Sequence, residues 1–108
     1  MNHYFLFGMN LPTLEECRTH LEERLGITFS ERHSDVLGDP YYSCKADGST
    51  FTLRENLDVD DGEPAELDFP QYNFILYADG IGEDDRRYER LLKLTEYGSV
   101  ELCRHTVI

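Results

Sequence analysis

The sequence predicts an α+β fold: a two-layer sandwich whose mainly antiparallel sheet of five or six strands carries two helices, in the order β-α-β-β-β-α-β. Three observations carry this. Two short continuous apolar runs, at 3–9 and 72–78, are each followed by a short loop and a helical pattern. The pair Asp47-Gly48 separates two strand-like segments, a strong hairpin signal. The chain has 108 residues, of which 40% are apolar, enough for one core and too few for two ordinary domains. A single domain over 1–108 is expected.

The run at 3–9 (His-Tyr-Phe-Leu-Phe-Gly-Met) has the unbroken apolarity of a strand covered on both faces. In the first helix, Thr13 is the N-cap with Glu16 three residues on, a reciprocal pair that satisfies two backbone donors. Leu14, Cys17, Leu21 and Leu25 share one face, Glu15, Glu22, Glu23 and Arg24 face solvent, and Gly26 stops the helix. Strand-like segments follow at 28–34, 41–46 and 49–54, then the second apolar run at 72–78. Asp84 or Asp85 caps a second helix with a stripe of Tyr88, Leu91, Leu92 and Thr95, ended by Gly98. The segment 99–107 closes the sheet. The two apolar strands belong in the middle, the polar ones at the edges, and both helices on one face. A variant of the ferredoxin-like split βαβ arrangement fits this order, as does an antiparallel meander with helices at one end.

Composition narrows the partners. Twenty-two Asp and Glu against ten Lys and Arg give a formal charge of −12. That excess speaks against binding nucleic acid or an anionic membrane, and for a basic protein partner. The charge is local. From Glu55 to Asp85 there are eleven acids and no Lys or Arg, while the rest of the chain balances eleven acids against all ten bases. A solvated acidic loop is the ordinary reading of such a run. The concentrated self-repulsion favours a surface that attracts a basic partner. Its residues are Asp58, Asp60, Asp61, Glu63, Glu66 and Asp68, with Asp79, Glu83, Asp84 and Asp85 as a second group in the loop after the apolar strand. Tyr72 is added as an aromatic contact, with Tyr77 also in the acidic half, while Tyr41 and Tyr42 follow the loop Gly38-Asp39-Pro40 with one of them expected to face outward.

Other chemistries fit less well. A calcium loop starting at Asp58 would need Gly at its sixth place and Glu at its twelfth, where Glu63 and Phe69 stand. The pairs Cys17/His20 and Cys103/His105 are short zinc-type pairs, but Cys17 lies on an apolar helix face. No metal or cofactor is expected. His3, His20, His33 and His105 fall in no catalytic motif, and the acids around Asp79-Gly80-Ile81-Gly82 would repel a phosphate. A non-enzymatic role is expected. Three cysteines leave at least one unpaired, the apolar start lacks a basic leader region, and no run approaches the roughly 20 residues of a membrane span. These point to a soluble cytoplasmic protein.

In size and charge, in the helix from Thr13 through Leu25-Gly26-Ile27, and in the stretches Phe51-Thr-Leu-Arg54-Glu-Asn-Leu57-Asp58 and Phe74-Ile-Leu-Tyr77-Ala-Asp79-Gly80, the chain resembles small acidic immunity proteins of bacterial toxin systems, notably contact-dependent growth inhibition. The resemblance implies a cytoplasmic protein that binds and blocks one cognate toxin domain, a nuclease in the first instance, and that has no catalytic residue of its own. Two other classes remain beside it: a small-molecule-binding or enzymatic α+β domain using a cleft beside the central strands, and an acidic nucleic-acid mimic that binds many basic proteins.

Overall fold

A computed structural model describes all residues, 1–108. The elements are β1 (Asn2–Met9), α1 (Leu14–Leu25), β2 (Ser30–Ser34), β3 (Gly38–Ala46), β4 (Ser49–Glu55), β5 (Phe74–Gly82), α2 (Arg86–Leu92), a 3-10 turn (Leu94–Tyr97) and β6 (Val100–Val107). Four strands stand between the helices, where the expected order string has three: the second apolar run is a strand in its own right beside the three polar segments. All six strands form one antiparallel sheet in the order β2-β3-β4-β5-β1-β6.

This is the split arrangement with an addition. β5 lies between β1 and β4, whose connection runs through α1 and the β2–β3 pair, and β1 lies between β5 and β6, which are linked through α2. The β2–β3 pair extends the sheet at one edge. The two most apolar strands, β1 and β5, are neighbours in the interior, and the polar β2 and β6 form the edges.

Alternation sorts the side chains between two faces. Phe5, Phe7 and Met9 of β1 join Leu76 and Ala78 of β5, Phe51 and Leu53 of β4, and Tyr42 of β3. Onto that face pack Cys17, Leu21 and Leu25 of α1, with Leu91 and Leu94. Thr13 Oγ1 accepts from Glu16 N at 3.1 Å, the one bond of the expected reciprocal pair that forms. Gly26 ends α1 in the left-handed region at φ 67°, its N–H donating to Glu22 O.

The second helix is shorter than the spacing predicts. Asp85, not Asp84, caps it, and at Lys93 the chain tightens into the 3-10 turn. The period then drops to three, so Leu91 and Leu94 are buried while Leu92 and Thr95 face solvent. No helix is long and apolar enough to cross a membrane. Cys17, Cys44 and Cys103 are all free thiols, and burial pushes the Cys17 thiol up to about 12.

The opposite face explains why β1 and β5 are apolar on both sides. Leu6 and Ile75 are buried there, away from the helices. The cover is the segment 56–73, which contains no helix or strand and folds back over the sheet. Tyr72 lies flat on Gly8: a Cβ at Gly8 would sit 2.3 Å from Tyr72 Cγ. Gly8→Ala therefore lifts Tyr72 and lowers stability by about 1–3 kcal/mol in urea denaturation. Combining it with Tyr72→Ala, which removes the clash, gives a double variant less destabilised than the two single effects added together.

Candidate functional site

The acidic segment is a clasped cover. Asn56 Nδ2 donates to the carbonyls of Phe69 and Tyr72, both at 2.9 Å, and its Oδ1 accepts from Glu66 N at 2.9 Å. Its backbone N–H reaches Asn73 O at 2.8 Å. Asn10 holds the far end, donating to Gln71 O at 3.0 Å and accepting from Asn73 N at 2.7 Å. Beneath the start of the loop, the buried guanidinium of Arg54 donates to Glu55 O at 3.1 Å and Leu57 O at 2.9 Å. These bonds satisfy polar groups that the loop takes out of water.

Two of the acids and tyrosines expected to meet a partner serve this clasp instead. Glu66 accepts from the Tyr77 hydroxyl and pairs with Arg104 at 3.3 Å, while Arg104 lies 5.7 Å over the Phe69 ring. The Tyr72 hydroxyl donates to Glu101, and that bond with burial pushes its pKa up to about 12. Burial and Glu66 likewise push Tyr77 up. Asp60, Asp61, Glu63 and Asp68 are exposed and Asp58 is half-buried, none of them within reach of a basic side chain. Asp58 Oδ1 accepts from Asp60 N at 3.0 Å and Asp61 Oδ1 from Glu63 N at 2.9 Å, so the tip is folded by its own carboxylates.

The second acidic group is dispersed. Asp79 lies inside β5, not in a loop after it, because the bulge at Asp79-Gly80 continues the strand to a buried Ile81. Asp85 caps α2 and pairs with Arg87 at 2.6 Å, which holds its carboxyl below the ordinary range. Glu83 contacts His3, and Asp84 is exposed. Glu83, Asp84 and Asp85 stand at the Gly82 end of β5 and the loop joins its Phe74 end, about 26 Å apart along the strand. The widest cleft, about 730 Å³, lies near the Gly82 end, where Arg86, Arg87 and Arg90 face Asp47, Asp84 and Asp85. No three His, Cys, Asp or Glu side chains gather as a metal-ligand set.

Between the two ends, the cover leaves part of the back face open. Thr50, Asp79, Tyr4 and Thr106 form one row across four strands, with Tyr77, Leu6 and Arg104 in the next. A cleft of about 210 Å³ lies between the rows, lined by Tyr4, Leu6, Tyr77, Asp79, Arg104 and Thr106. The Asp79 carboxylate makes no hydrogen bond or ion pair there, and burial pushes its pKa up.

Strand pairing also assembles a group that no motif announces. His3 Nδ1 lies 2.8 Å from His105 Nε2, and His3 Nε2 lies 3.1 Å from Glu83 Oε1. His3 is 4% exposed, against the ring of Tyr88. With Glu83 accepting from His3 Nε2–H, His3 Nδ1 is left to accept from His105 Nε2–H. Burial, then the neighbouring His3, lowers the pKa of His105. No hydroxyl or thiol bonds to this chain of groups. A separate contact places Ser99 Oγ 3.4 Å from His20 Nε2.

The chain matches no protein-family model and no curated protein.

Two substitutions test this geometry. Asn56→Ala removes three side-chain hydrogen bonds worth about 1 kcal/mol each and leaves buried carbonyls unpaired. It lowers stability by about 2–4 kcal/mol and opens 58–68 to limited proteolysis. At Asp79 the sign is opposite. At neutral pH this carboxyl is ionised in both states, and burial without a partner disfavours the folded ion. As pH falls through the raised folded value toward the ordinary 3.8, the folded state takes its proton first and the penalty disappears. Asp79→Asn raises the melting temperature by about 2–5 °C at pH 7 and has no such effect below the ordinary carboxylate value.

Proposed function

We propose that the protein is a non-enzymatic inhibitor: a cytoplasmic immunity protein that binds and neutralises a cognate bacterial toxin domain, a nuclease above all, by occupying its basic substrate-binding surface. The supporting observation is the clasped acidic cover. Of the eleven acids between Glu55 and Asp85, only Glu66 and Asp85 meet an arginine and Glu83 meets a histidine. The others are left without cations, and five of them, Asp58, Asp60, Asp61, Glu63 and Asp68, sit on a loop held by Asn56 and Asn10, so little ordering remains for binding.

The physics of such a surface suits a nuclease. A domain that holds RNA or DNA carries clustered Lys and Arg where phosphates lie. A fixed acidic surface steers that domain toward encounter, at rates that reach the order of 10⁸ M⁻¹s⁻¹ at low salt, and competes with substrate for the same cations. Within the loop, Asp58, Asp60, Asp61, Glu63 and Asp68 carry this role, while Glu66 and Tyr72 hold the surface in place. In the second group, Asp79 within β5 and Asp84 after it add unpaired carboxylates farther along, while Asp85 is neutralised by Arg87 and Glu83 is linked to His3.

The test follows association with the cognate toxin domain, sought in the neighbouring upstream reading frame, by stopped flow across a salt series. Changing Asp58, Asp60, Asp61 and Asp68 to Lys slows association at low salt at least tenfold, flattens the salt dependence and abolishes protection of cells that express the toxin. Unchanged rates and protection would contradict the proposal. Equal binding to several unrelated basic proteins would assign the chain to nucleic-acid mimics instead.

A further inference from the structure

The cleft on the open half of the back face has a floor, two aromatic walls and a carboxylate without a cation. Leu6 forms the floor, 2% exposed. Tyr4 and Tyr77 flank it, and Tyr77 is fixed in place by its hydroxyl bond to Glu66. Asp79 and Thr106 bring a carboxylate and a hydroxyl to the same end, Thr106 paired with Tyr4 on β1 and Asp79 at the bulge beside it. No cation on this face pairs with Asp79: Arg54 is buried under the start of the loop, donating to the carbonyls of Glu55 and Leu57, and Arg104, although it lines the cleft, is turned to another carboxylate. Arg104 points to Glu66 and Phe69, and Lys45 on β3 stands two strands from Asp79, opposite Thr50.

A half-buried carboxylate with no counter-ion costs stability, and the one cation lining the cleft, Arg104, is committed to Glu66. A planar cation entering between the tyrosines would supply the missing counter-ion. A guanidinium fits better than an ammonium: it stacks on aromatic faces, gives up hydration more readily, and its fork reaches both carboxylate oxygens. We propose that this slot receives one arginine side chain of the basic partner, with the guanidinium between Tyr4 and Tyr77 and paired to Asp79. The identity of the cation's owner rests on the inhibitor reading above, but the slot itself can be tested without any partner.

The probe is N-acetyl-arginine amide, titrated into the ¹⁵N-labelled full chain, with the neutral isostere N-acetyl-citrulline amide as control. The arginine probe gives saturable shifts at Tyr4, Asp79 and Thr106, with half-saturation on the order of 10 mM. The citrulline probe gives none. Asp79→Asn, which keeps shape and fold, weakens the arginine probe at least tenfold. Tyr4→Leu, which keeps the carboxylate and removes the ring, weakens it several-fold. Shifts that follow both probes alike, that centre on 58–68, or that persist in Asp79→Asn overturn the slot. Saturation at Asp79 in a protein whose loop reversals leave toxin capture unchanged supports the slot while removing the loop from the interface.

Discussion

The side chain of Asn56 closes the segment 56–73 onto the sheet, and the surface of this protein depends on that closure. Loops of this length without secondary structure are uncommon in compact domains, because ordering them is entropically expensive. Here the backbone also carries Asp58, Asp60, Asp61, Glu63, Glu66 and Asp68, whose repulsion favours expansion. Asn56 opposes both with three side-chain bonds to groups ten to sixteen residues away. Burial assists it: Ile75 is covered, and Tyr72 rests on a position where only glycine leaves room.

The closure sorts the acids into two kinds. Glu66 turns inward to Tyr77 and Arg104 and acts as a staple. The acids at the tip turn outward, with Asp58 and Asp61 each bonding a nearby amide. Charge that looks uniform along the sequence therefore divides into anchors and an outward surface. The far end of β5 divides similarly: Asp85 and Arg87 neutralise one another, Glu83 is linked to His3, and Asp84 is free of such contacts. Asp79 belongs to neither kind, being half-buried and unpaired on an open stretch of sheet.

Much of the fold was legible because it rests on local chemistry. The cap at Thr13, the stripe of Cys17, Leu21 and Leu25 and the stop at Gly26 set α1 within one stretch of chain. Unbroken apolarity at 3–9 marks β1 as an interior strand covered on both faces, although nothing local shows that the segment 56–73 is the back cover. What was missed depends on distant partners. Asp79-Gly80-Ile81-Gly82 reads as a loop by composition, and only pairing with Thr50 and His3 draws it into β5. Leu92 and Thr95 read as core at helical spacing until the chain tightens at Lys93. Asn56 and Arg54 carry no local mark of their role beyond their place at the head of the acidic run. His3 and His105 lie 102 residues apart and meet only through β1–β6 pairing.

Native-state hydrogen exchange of two amides tests the clasp most directly. Glu66 N–H donates to the Asn56 side chain and Asn73 N–H to the Asn10 side chain. If the loop is closed as described, both exchange within about tenfold of the β5 amides Leu76 and Ala78, opening only with the sheet. Exchange of Glu66 and Asn73 at free-chain rates, while β5 stays protected, would show a loop that swings freely and would contradict a fixed acidic surface.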